Sequence, residues 1–134
     1  MALAISRYLA LPFAIGLGIG ETIINWGHWQ FAPLWIIDYV IVAWLLYAFL
    51  KTRHGEHVHI LLAAWALTSG IFYMALFLSL DPELASDVRP GAILLTLMGV
   101  MFVSSLIGFF SALWAIQQLG AEAGAGHASP RRSA

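Results

Sequence analysis

The stretch AILLTLMGVMFVSSLIGFFSALWAIQQL, residues 92–119, contains no charged side chain, and its reading decides the fold. A helix that crosses a bilayer needs roughly 20 mostly apolar residues, and this run is long enough to supply them. It has no polar face to turn toward water, so the solvent around it is hydrocarbon. Working outward, the runs Tyr8–Trp26, Pro33–Leu50 and Val58–Leu80 are built alike, with Glu21 and Asp38 as their only acidic residues and no Lys or Arg. The chain therefore reads as all-α, a four-helix transmembrane bundle with up-down-up-down connectivity.

Composition agrees. Hydrophobic residues make up 61% and charged residues 10% of the chain, against roughly 45–50% and 25% in soluble domains. The connections Gly27–Ala32, Lys51–His57 and Asp81–Gly91 are short enough to make successive helices antiparallel neighbours, so residues 1–119 form one transmembrane domain. Residues 120–134 are rich in Gly, Ala and Ser and are expected to form a disordered cytoplasmic tail. The first run is too long for a secretory signal, and Glu21 and Thr22 stand where a small-residue cleavage site would fall, so helix one is expected to be retained. With no cysteine, the side chains offer no disulfide, thiolate metal site, iron–sulfur cluster or covalent haem attachment.

Lys and Arg set the expected orientation. Arg7, Lys51, Arg53, Arg131 and Arg132 fall on one side of the four spans, and only Arg89 falls on the other. The positive-inside rule then puts both termini in the cytoplasm, with the bacterial inner (plasma) membrane as the expected setting. Tyr8, Tyr47 and Trp114 mark the cytoplasmic edge, and Trp26, Trp29 and Trp35 mark the opposite one.

Small residues recur at helical spacing and predict close helix packing. Gly16 and Gly20 form one such pair in helix one, and Ala10, Ala14 and Gly18 a second stripe; Ser104, Gly108 and Ala112 repeat the device in helix four, and Ala66 and Gly70 in helix three. Pro12 is expected to bend helix one or mark its start, and Pro33 to open helix two, where a missing N–H costs nothing.

Glu21 and Asp38 carry the sharpest candidate site. Glu21 lies five residues before Trp26 and Asp38 five after Pro33, so each sits roughly 7–8 Å inside the same surface at 1.5 Å per residue. An intramembrane carboxyl costs up to about 2.5–3.5 kcal/mol on insertion scales, and something has to offset that. Two carboxyls at one level favour a shared proton or a bound cation. The alternative is that each hydrogen-bonds to Asn25, His28 or Tyr39 and locks the hairpin. Tyr73 of helix three is expected to reach the same layer.

His54, His57 and His59, with Glu56 between them, are the only histidine cluster and a weak candidate for a divalent metal site. The order is not H-E-x-x-H, so no metalloprotease geometry follows. The histidines lie in loops, at helix ends or in the tail, which disfavours axial haem ligation, and no buried histidine is placed to activate Ser104, Ser105 or Ser111. No catalytic residue and no cofactor is assigned, the balance of readings is against an enzyme, and nothing in the charge pattern calls for nucleic acid.

In length, helix number and the carboxylate Glu21 in helix one, the chain is similar to the small multidrug transporters, although its marked Lys/Arg asymmetry differs from that group's weakly biased, dual-orientation members. The leading expectation is an inner-membrane protein whose partners are the lipid bilayer and other helices, acting as an accessory subunit or homo-oligomer in a larger membrane complex. The other is a small transporter or a cation- or proton-linked binder of a polar ligand. Reporters fused after Leu119 and within Lys51–Gly55 should register as cytoplasmic and one within Asp81–Ser86 as extracytoplasmic; an exchange of sides in a fusion assay would overturn the orientation.

Overall fold

A computed structural model describes residues 1–26, 32–81, 83 and 90–127. The described residues form α1 (Ala2–Asn25), α2 (Ala32–Lys51), α3 (Val58–Ser79) and α4 (Ala92–His127), with no strand. All four helices are long and apolar enough to cross a membrane.

Two boundaries differ from the sequence-based expectation. α1 begins at Ala2 and carries Pro12 in its interior. The segment before Pro12, Ala2-Leu3-Ala4-Ile5, is made of residues that hold a helix readily, and proline removes a single i to i−4 bond, which leaves the turns on either side intact. α4 continues to His127, into the segment expected to be a disordered tail. Gln117, Gln118, Leu119, Ala121 and Glu122 are favourable helix residues, so a helix already nucleated in the membrane propagates outward through them. Pro33 stands in the first turn of α2 as expected.

The turn from α2 to α3 is a 3₁₀ turn, Thr52–His54, closed by Gly55 N–H donating to Thr52 O at 3.2 Å. Gly55 takes φ 79°, where a side chain would be strained. His57 also takes a left-handed conformation, φ 56°, and starts α3.

α1 packs against α2 and α4, and α3 against α2 and α4, while the α1 and α3 backbones stay apart across the middle and meet there through side chains. The bonds between neighbours give direction. Arg7 meets Phe49 at one end of the α1/α2 pair and Thr22 meets Tyr39 at the other, so the two helices are antiparallel. Gly108 lies against Trp65, and Met98 against Ser79, so α3 and α4 are antiparallel as well.

The core centres on Trp65, which is wholly buried. Phe13 meets its indole edge to face at 5.2 Å, and Phe72 meets Phe13 at 5.6 Å. Around these rings lie Ala10, Ala14 and Leu17 of α1, Ile41, Leu45 and Ala48 of α2, Leu61 and Ala64 of α3, and Ala112 of α4. The buried hydroxyls of Thr52 and Thr68 are satisfied by the carbonyls of Ala48 and Ala64 at 2.7 Å each within their own helices, whereas Ser69 Oγ is buried without a hydrogen-bond partner among the described residues. Ser6 instead reaches across to Gly108 O at 2.8 Å and ties α1 to α4.

The small stripes divide into two kinds. Gly108 is a true close approach, because a Cβ there would run into the Trp65 indole. Ala10 and Ala14 are fully buried, and Gly18 faces Val42 of α2, whose methyls stand 3.7 Å from a Cβ placed on it. Gly16, Gly20 and Gly70, by contrast, face open space, and Ala66 is exposed. Four-residue spacing in the sequence does not say which stripe faces the protomer's own core.

A sign change follows. Gly108→Ala should destabilise by about 1–3 kcal/mol through overpacking, whereas Gly20→Ala should be neutral or stabilise by up to about 1 kcal/mol through helix propensity. Thermal unfolding of the two variants in detergent separates them, and equal tolerance would contradict the assignment of Gly108 as the packing seat.

Candidate functional site

The buried stripe of α1, Ala10, Ala14 and Leu17, runs on to Glu21, and the buried stripe of α2, Ala48, Leu45 and Ile41, runs back to Asp38. A helix stripe keeps one face over these spacings. Both carboxyls therefore extend the core-facing side of their helices at the same end of the bundle, and both are half-buried.

Asn25, one turn beyond Glu21, donates from Nδ2 to Glu21 Oε2 and to Glu21 O, each at 2.9 Å. Its Oδ1 is buried and accepts no hydrogen bond from the described residues. Beside this pair, Thr22 Oγ1 donates to Gly18 O at 2.7 Å and also lies 2.7 Å from Tyr39 Oη. A hydroxyl has one proton, so Tyr39 is the donor to Thr22. That link joins α1 to α2 immediately next in sequence to Glu21 and Asp38. Trp35 meets the Tyr39 ring edge to face at 5.9 Å and steadies it.

The other candidates fall elsewhere or outside the described residues. Tyr73 is exposed on α3 and packs on Phe77 at 4.6 Å and on Phe102 of α4 at 6.0 Å, so its contacts are aromatic. His28 lies outside the described residues. His57 and His59 meet edge to face at 5.8 Å, and Glu56 lies 4.0 Å from His57. His54 is exposed in the 3₁₀ turn, and among the described residues no three His, Cys, Asp or Glu side chains gather as a metal site would require.

A groove of about 380 Å³ lies between α1 and α2, walled by Ile15, Ile19 and Ile23 on one side and Tyr39, Val42 and Leu46 on the other. The Thr22–Tyr39 hydroxyl pair is the polar feature of an otherwise apolar lining. Neither the groove nor the hydroxyl link was among the expectations drawn from sequence. The available signal was the Gly18 stripe, which thins α1 where it faces Val42.

Chemically, the arrangement offers two half-buried carboxyls on neighbouring helices, an amide with a free acceptor, and a pair of linked hydroxyls, with no Lys or Arg close to them in sequence in the two spans. It can hold a proton between groups or accept from a cationic or hydrogen-bond-donating ligand. Comparison with protein-family models, with characterised proteins and with solved structures finds no match for the chain.

Two double-mutant cycles test the site. Thr22→Val with Tyr39→Phe should show a coupling of about 0.6 kcal/mol, up to about 1.7, as for hydrogen bonds between membrane helices. If the two carboxyls share a site, Glu21→Gln with Asp38→Asn should depart from additivity by about 0.5–3 kcal/mol. Strict additivity of the acidic pair in unfolding measurements would show that the carboxyls act independently.

Proposed function

We propose that the chain is a small polytopic membrane protein that acts through helix–helix contacts, as an accessory subunit or as a homo-oligomer. The observation that carries this reading is the bare small surface of the protomer: Gly16 and Gly20 of α1 and Gly70 of α3 have open space where a side chain would stand, and Ala66 is exposed beside Gly70 on its helix. In lipid, apolar exclusion no longer drives association, and helices join where small residues let backbones approach. The pairs Gly16/Gly20 and Ala66/Gly70 are unused within the protomer, and a partner helix is the group that fits them. The proposed arrangement is an up-down-up-down bundle with both termini cytoplasmic, in the inner membrane of a bacterium, oriented by Arg7, Lys51 and Arg53.

A second reading, a cation- or proton-linked binder of a polar ligand, is favoured by the half-buried Glu21 and Asp38 flanking the Thr22–Tyr39 link and by the unpartnered Asn25 Oδ1 beside Glu21. Purification of the full chain in mild detergent, followed by mass measurement of the intact particle, separates the two. The helix-contact reading expects a particle larger than one chain that reverts toward the monomer in Gly16→Leu/Gly20→Leu. A monomeric particle that binds a ligand dependent on Glu21 and Asp38 would replace it with the second.

A further inference from the structure

We propose that Arg7, with the two rings that hold it, binds the phosphodiester headgroup of an anionic phospholipid where α1 begins and α2 ends. Arg7 is partly buried and donates from Nε to Phe49 O at 2.9 Å. Its guanidinium carbon stands 4.4 Å from the centre of the Phe49 ring and 5.2 Å from that of Tyr8, and the two rings meet edge to face at 6.3 Å. The guanidinium is therefore fixed in both plane and direction. Only Nε is spent: the remaining N–H groups make no hydrogen bond within the described residues, and none of the carboxylates there pairs with Arg7. A partly desolvated cation with unmet donors is a standing cost, and an oxyanion that accepts from the planar fork removes it.

The surroundings select the source of that anion. Arg7 lies near the N-terminal end of the first helix long and apolar enough to cross a membrane, and the exposed large apolar side chains around it at the same two helix ends include Ile5, Tyr8, Tyr47 and Leu50. A headgroup phosphate reaches this position with its acyl chains against apolar surface, whereas a free phosphate has to leave water to do so. Charge adds to the match. Lys51 and Arg53 are exposed at the end of α2, and Glu56, the only carboxylate of the turn, faces His57 at 4.0 Å. Lys51 Nζ lies 5.8 Å from the Tyr47 ring, at the level where amphipathic rings and cations meet headgroups.

The test uses the full chain in neutral detergent, with phosphatidylglycerol, phosphatidylcholine or inorganic phosphate added, read by native mass spectrometry and by thermal unfolding. Phosphatidylglycerol should be retained and should raise the unfolding temperature more than phosphatidylcholine, and inorganic phosphate should not compete. Arg7→Gln should weaken phosphatidylglycerol retention about fivefold. Arg7→Lys keeps the charge without the planar fork and should fall between Arg7→Gln and the parent. If Arg7→Gln does not fold, the Arg7→Lys comparison decides. Equal retention of the two lipids, unchanged retention in a folded Arg7→Gln or in Arg7→Lys, or displacement by inorganic phosphate would overturn the proposal.

Discussion

The seating of Trp65 on the bare backbone of Gly108 is the contact on which the bundle depends. A membrane helix gains little by hiding apolar surface from lipid that is itself apolar, so shape complementarity has to hold the helices together. The largest side chain of the core lies where α4 offers no side chain at all. Phe13 then closes on the indole from α1, and Phe72 closes on Phe13. The carbonyl of Gly108 also accepts from Ser6, so one residue of α4 receives α3 by absence of bulk and α1 by a hydrogen bond. A branched residue at that position would disturb both.

The fold was legible because the bilayer leaves few choices. Hydrocarbon requires every backbone polar group to be satisfied within its own segment, and long uncharged runs such as Ala92–Leu119 then have to be helices. Where helices end was less legible. Pro12 reads by its chemistry as a slight bend or as the start of helix one, and α1 in fact begins ten residues earlier and passes through it, since one missing bond is a local loss set against several intact turns. α4 outruns its apolar stretch because Gln, Ala and Glu continue a helix in water as well as leucine does in lipid.

The site was legible only in part, for a geometrical reason. Counting residues across a short connection puts Glu21 and Asp38 at one level, and the buried stripes Ala10-Ala14-Leu17 and Ile41-Leu45-Ala48 continue at helical spacing to these two half-buried residues. Asn25 one turn from Glu21 is equally readable as an i, i+4 pair. Which of two small stripes on one helix meets the neighbour is not readable, because Gly16/Gly20 and Ala14/Gly18 have the same spacing and differ only in direction. Tyr73 shows the same limit: counting gives its depth, but its angular position on α3 turns it to Phe77 and Phe102.

The two ends of the α1/α2 pair complement each other. Apolar contacts such as Gly18 against Val42 tolerate sliding in lipid, so register has to come from polar links. Two such links stand among the described residues, Arg7 to Phe49 O and Tyr39 to Thr22, and they lie 15 positions apart on α1, roughly 22 Å at 1.5 Å per residue. Phe49 O belongs to the last turn of α2, where carbonyls lack helical partners and the helix dipole favours a cation. A parallel α2 would bring its N-terminal turn to Arg7 instead, so this link favours the antiparallel pairing. The groove between Ile15, Ile19 and Val42, Leu46 runs up to the second of these links, Thr22 and Tyr39 being part of its lining. The cation at one end and the carboxyls at the other are therefore parts of one device: each polar group that is costly in lipid sits beside a link that fixes how the two helices meet.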